Sequence, residues 1–173
     1  MKTEFLYRLA GLASLLAGGA RIATALPWSS DATSREALYD AIDALLLFAV
    51  MGIYFSRKDH LGLLGLTSFA VAIAALSFIG GPDADPFGFS TYEQGGYTLA
   101  IAMVGMSLAW LRAKQRPLWA PACWFLSVIA AGVLQRLPPP LPSYAFTAAG
   151  MLFGLGFVFA GLDLISTKPR TLG

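Results

Sequence analysis

Residues 143–166 read SYAFTAAGMLFGLGFVFAGLDLIS, and this stretch decides the fold. It opens after a serine and carries one charged residue, Asp163, near its far end. A helix needs about 20 apolar residues to cross the hydrocarbon of a bilayer, so the run reads as a membrane-spanning helix over 144–166. In lipid the backbone N–H and C=O groups must pair within the segment, which leaves the helix as the open-chain solution. Ser143, Thr147, Gly150, Gly154 and Gly161 lay a stripe of small residues along it.

Five further apolar runs repeat the pattern, over 5–26, 34–56, 60–80, 91–113 and 118–136. Local signals mark their starts. Thr33 with Glu36 and Ser90 with Glu93 form capping boxes, Asp59 is an N-cap, and Pro117 suits a first turn. The expectation is an all-α polytopic membrane protein, a six-helix transmembrane bundle forming one domain over 1–173. Composition agrees: 57% of residues are hydrophobic and 13% charged, whereas soluble domains are about 25% charged. The first run has a rival reading as a secretory signal with Ala23-Thr24-Ala25 as its cleavage site. Glu4 before the apolar stretch and Arg21 beside that site favour a spanning helix. The single cysteine, Cys123, excludes an intramolecular disulfide.

Charge sets an expected orientation. With the N-terminus cytoplasmic, the inner side holds nine cations: Lys2, Arg8, Arg57, Lys58, Arg112, Lys114, Arg116, Lys168 and Arg170. The outer side holds three, Arg21, Arg35 and Arg136. This is a positive-inside split, and it puts both termini in the cytoplasm. Seven of the ten acids fall on the outer side. Aromatic anchors, among them Trp28, Tyr97 and Tyr144 on one side and Tyr7, Trp110 and Trp119 on the other, agree. The connector over 81–91 is an irregular outer loop in which Phe87 and Phe89 could fold back and Asp83 and Asp85 make an incomplete cation shell. The connector over 137–143 carries four prolines and is stiff.

Small residues recur on the other helices: Gly11, Ser14 and Gly18 on the first, Gly65, Ser68, Ala72 and Ala75 on the third, Thr98, Ala102 and Gly105 on the fourth. Lipid gives helices no hydrophobic reason to associate, so close backbone approach must hold them together. Two readings stand. Gly11, Gly18, Gly150, Gly154 and Gly161 pack helices within the chain, or the sixth-helix stripe docks a partner membrane subunit.

The main functional candidate is on the second helix, where Glu36, Asp40 and Asp43 share a face. Asp43 is six residues inside the helix, about 9 Å deep. An ionised carboxylate there is costly against lipid, so it must face the bundle with a partner. Arg21 on the first helix is at matched depth, so an Arg21–Asp43 contact shared with Asp40 is expected. Arg136 closes the cluster, with Tyr39, Gln94 and Tyr97 as neighbours. The set is either a structural ion pair or a ligand-binding outer pocket. At the inner side, Asp163 is expected to pair with Arg8 or Arg112.

Other chemistry is thinly represented. The lone histidine, His60, cannot supply bis-histidine haem ligation, and no Cys/His cluster marks a metal site. No nucleophile–base pair and no phosphate-binding loop stand out, so no catalytic residue, metal, cofactor or nucleic-acid partner is expected. The segments YRLAGLASLLAGG (7–19) and GMLFGLGFVFAGLDL (150–164) resemble in style those of small six-helix proteins of bacterial inner membranes, which implies that location. In size and helix count the chain is also similar to substrate-binding subunits of energy-coupled vitamin transporters. The functional expectation is a non-catalytic accessory or helix-packing subunit in contact with membrane lipid. The alternative is a small-solute or lipid-binding transporter component with an outward-facing acidic pocket.

Overall fold

The structure, a computed structural model, describes residues 3–26, 32–79, 88 and 90–166. Lys2, Trp28, Asp31, Asp83, Asp85, Phe87, Phe89, Lys168 and Arg170 lie outside the described residues, and the Asp83–Asp85 cation reading lies there with them. The described residues form six α-helices and no strand. These are α1 (Thr3–Ala25), α2 (Ala32–Phe55), α3 (Lys58–Ile79), α4 (Thr91–Arg112), α5 (Trp119–Leu134) and α6 (Ala145–Ser166). A 3-10 turn at Leu141–Tyr144 leads into α6. Every helix begins and ends within two residues of the range set by its apolar run.

The caps explain some of these boundaries and correct others. The Ser90 hydroxyl accepts from the Glu93 backbone N–H at 3.2 Å and starts α4. On α2 the first helical residue is Ala32, so Thr33 falls in the first turn instead of capping it. α3 starts at Lys58, one residue before Asp59, and breaks at Gly62, whose φ is +59°. That value lies in the left-handed region that glycine adopts without steric cost. The break drives the Leu61 side chain onto Gly65, where any Cβ would collide with it.

Three segments are long and apolar enough to cross a membrane: Thr33–Phe55, Lys58–Ile79 and Leu141–Ser166. α5 is apolar but shorter, with 16 residues. The exterior is apolar as well. Leu12, Leu16, Leu63, Ile101, Leu126 and Leu162 are all exposed, while the interior is rich in alanine, glycine and serine. Soluble monomers rarely expose apolar surface on this scale. Both features point to a lipid environment.

Each helix packs on its chain neighbours, and α6 packs on α1, so the six close into a ring. The α1–α6 and α3–α4 seams are the most extensive. Inside the ring, Trp110, Trp124 and Phe157 are fully buried. Trp110 and Trp124 meet edge to face at 6.2 Å, and Trp124 and Phe157 lie 5.2 Å apart. Such pairs contribute beyond the area they bury.

Glycines at seven-residue spacing make the α1–α6 seam. A Cβ added to Gly18 would sit 2.5 Å from the Gly154 carbonyl oxygen, and one added to Gly154 would sit 2.6 Å from that of Gly18. Gly11 and Gly161 oppose each other in the same reciprocal way, at 3.0 and 2.6 Å. Between the two pairs the Ser14 hydroxyl donates to the Phe157 carbonyl at 2.7 Å. As residue numbers rise on α1 they fall on α6, so the helices are antiparallel and the start of α1 lies beside the end of α6. A strict seven-residue repeat keeps one edge of each helix facing the other. Gly154 and Gly161 are therefore covered by α1 within the chain.

Arg57 ties the termini end of the ring together. The connector between α2 and α3 is only two residues long, Ser56 and Arg57, and Arg57 is just 8% exposed. Its guanidinium donates to Asp163 on α6 and, at 2.7 Å, to the Ser56 hydroxyl, and it lies 4.0 Å from the centre of the Trp110 ring on α4. Burial pulls the Arg57 pKa down to about 10, which leaves it a cation at neutral pH. The expected pairing of Asp163 with Arg8 or Arg112 is corrected. Arg8 pairs with Glu4 one turn away at 2.7 Å, and Arg112 is exposed. The tight hairpin holds Arg57 inside the bundle end, where its side chain reaches Asp163 first.

Two outcomes follow for stability in detergent. Gly18→Leu forces a side chain into the α6 backbone and should cost at least about 1–3 kcal/mol. Its neighbour Gly19 faces open space, so Gly19→Leu should be neutral or stabilising by up to about 1 kcal/mol. Thermal melting of the two variants checks this, and equal melting would place the seam elsewhere. Arg57→Met strands the Asp163 carboxylate and should cost about 3–5 kcal/mol, whereas Arg57→Met with Asp163→Leu should recover most of that loss. Melting of the single and double variants measures the difference.

Candidate functional site

The α1–α6 seam opens at the end of the ring away from the termini. Past Gly18 and Gly154 the helices separate, and Gly150 has only the Ala25 side chain near it, at 3.8 Å. Gly150 is thus a wall of the opening and not a packing contact like Gly154. Arg21 lies one turn beyond Gly18 on the same edge of α1. With Thr24, Ala25, Tyr39, Phe146, Thr147 and Gly150 it lines a cleft of about 200 Å³.

Polar groups from three helices line it: Arg21 and Thr24 on α1, Tyr39 on α2 and Thr147 on α6. Asp43, one turn beyond Tyr39 on α2, is half-buried, and Asp40 and Tyr92 are exposed.

Of the expected cluster, Arg21 and Tyr39 line the cleft, while Asp43 is half-buried one turn beyond Tyr39 and Asp40 is exposed. Among the described residues no ion pair joins Arg21 to Asp43. Glu36 is exposed at the start of α2. Arg136 is exposed beyond the end of α5, a helix that packs on α4 and α6 but not on α1 or α2. Tyr97 is exposed and donates to Glu93 one turn earlier at 3.2 Å. Gln94 lines a separate apolar groove between α3 and α4, of about 270 Å³, with Phe78, Gly95 and Thr98.

Thr24, Ala25 and Phe146 line the cleft without having been drawn into the expected cluster, because uncharged residues of this kind carry no charge signal in the sequence. Among the described residues no three His, Cys, Asp or Glu side chains gather closely enough to hold a metal ion. What the cleft offers is one cation at Arg21, phenol and threonine hydroxyls, and an aromatic wall at Phe146. This suits binding of a small polar molecule, and no group in it is arranged as a nucleophile beside a base.

No protein family, curated protein or solved structure matches the chain, so function has to be argued from this geometry.

Proposed function

We propose that the chain is a non-catalytic, multi-pass protein of the cell membrane that binds a small polar solute in a cleft open to the outside. In this reading all six helices span the bilayer, both termini are cytoplasmic, and the membrane is a bacterial inner membrane. One observation carries the functional part: α1, α2 and α6 direct Arg21, Thr24, Tyr39 and Thr147 into one cleft, with Asp43 half-buried one turn beyond Tyr39. Helix packing alone does not call for such a set, because ionisable groups within membrane helices are expensive and need a reason to stay.

Charge supports the orientation. Among the described residues, Arg8, Arg57, Lys58, Arg112, Lys114 and Arg116 belong to the termini end, and Arg21, Arg35 and Arg136 to the cleft end. The excess of cations marks the cytoplasmic face. The apolar exterior and the three long apolar helices support the membrane location. The partner-subunit reading has less support. Gly154 and Gly161 are occupied by α1, and a partner using that stripe would have to displace it.

Labelling of single cysteines tests the proposal. In a Cys123→Ser background, Thr147→Cys should react with a charged, membrane-impermeant thiol reagent added outside intact cells. Lys114→Cys should react only after the membrane is opened. The reverse pattern would invert the topology, and an unreactive Thr147→Cys in both conditions would mean that the cleft is closed to water.

A further inference from the structure

The connector from α4 to α5 reads Ala-Lys-Gln-Arg-Pro-Leu over 113–118, between Arg112 and Trp119. No acid stands between Glu93 and Asp163, so Arg112, Lys114 and Arg116 have no opposite charge in their own stretch of chain. Nor does the fold supply an ion pair. All three are exposed, and among the described residues the ion pairs are Arg8–Glu4 and Arg57–Asp163. We propose that this connector binds the phosphate headgroup of an anionic phospholipid in the leaflet at the termini end of the ring.

The connector is held in one shape. α4 ends in a Schellman turn, in which the Lys114 N–H donates to the Leu111 carbonyl at 3.0 Å and the Gln115 N–H to the Trp110 carbonyl at 3.4 Å. The Trp110 indole donates in turn to the Gln115 carbonyl at 3.2 Å. Trp110 is fully buried and lies against Arg57, so the turn is anchored to the bundle. The left-handed position of such a turn favours glycine. Lys114 stands there instead, with φ +51°. A cation kept at that backbone position points to a use for its charge.

Depth brings these cations to lipid phosphates. α5 has 16 residues and is about 24 Å long, against about 30 Å of hydrocarbon. A helix that short thins the bilayer or draws its flanking residues to the hydrocarbon edge. Trp119 at its start is 68% exposed, and Leu111 and Leu118 are exposed beside it. The indole and the leucines take the acyl side of that boundary, and the three cations take the phosphate side. Each arginine presents a fork that matches two phosphate oxygens. Apolar and cationic groups share one short segment, which fits a lipid better than a soluble anion. The site is independent of the solute cleft and rests on the reading in which α5 crosses the bilayer.

Melting of the purified full chain in a neutral detergent tests this, with phosphatidylglycerol added in one series and phosphatidylcholine of the same chains in another. A ligand bound only by the folded state raises the melting temperature with ln(1 + [L]/Kd). Phosphatidylglycerol should raise it saturably, and phosphatidylcholine should not. Each basic residue at an anionic lipid surface contributes a factor of about five. Lys114→Gln should therefore weaken binding about fivefold, and Arg112→Gln with Lys114→Gln and Arg116→Gln by about a hundredfold. Arg136→Gln, at the other end of the ring, should leave it unchanged. Equal effects of the two lipids would overturn the proposal, and so would a triple variant that keeps the wild-type preference. If Arg136→Gln loses as much as Lys114→Gln, net charge is at work and the connector is refuted as the site. If inorganic phosphate raises melting as phosphatidylglycerol does, the source is aqueous and the lipid assignment falls. The single variants decide should the triple variant fail to fold. Labelling of Lys114→Cys in cells tests the spanning reading separately, so the two can fail apart.

Discussion

Two helix backbones can touch only where neither carries a side chain between them, and the seam between α1 and α6 meets that condition twice. Gly11 opposes Gly161 and Gly18 opposes Gly154, each carbonyl lying where the partner's Cβ would be. In lipid, where apolar side chains gain nothing by leaving their solvent, this close approach and the Ser14–Phe157 hydrogen bond supply the attraction. The seam also joins the first helix to the last. Without it α1 would keep only α2 as a neighbour, whereas α6 is also held by α5 and α2.

Closure determines what stands at each end of the ring. At the termini end Arg57 links the α2–α3 hairpin to α6 and α4 through Asp163 and Trp110. That contact fixes how far α6 slides against α2, since a short connector leaves the arginine little freedom. At the other end the glycines run out. Ile22 lies over Gly154, and beyond it the helices part to leave the cleft that Arg21 lines. The polar site is thus a consequence of where the small-residue seam stops. Its charged lining is tolerable because it faces the ring mouth and not the hydrocarbon.

Much of the architecture was legible from the order of residues. Six apolar runs of spanning length became six helices, since a helix in lipid has few other ways to satisfy its backbone. The seven-residue spacing of Gly11 and Gly18, and of Gly154 and Gly161, announced close contact. It did not say with which helix, because a stripe of glycines is equally complementary to a neighbour in the chain, to a distant helix and to another protein. Arg57 was read as one more cytoplasmic cation. Hydropathy and charge counting place a connector outside the core, and they do not register that a two-residue turn keeps its side chain within the bundle. Arg21, Asp40, Asp43, Arg136 and Tyr97 were grouped by depth, and depth says nothing of direction: Arg21 lines the cleft, whereas Asp40, Arg136 and Tyr97 are exposed.

The central claim is the antiparallel register of α1 on α6, and cysteine cross-linking measures it most directly. In the Cys123→Ser background, Gly150→Cys is combined with Ala25→Cys in one variant and with Gly19→Cys in another. The Ala25 Cβ lies 3.8 Å from the Cβ position of residue 150, and residue 19 faces open space, six residues or about 9 Å from residue 25 along α1. Mild oxidation should cross-link the first pair within the monomer and leave the second free. Cross-linking of the second pair, or of neither, would contradict the register and with it the ring that the cleft depends on.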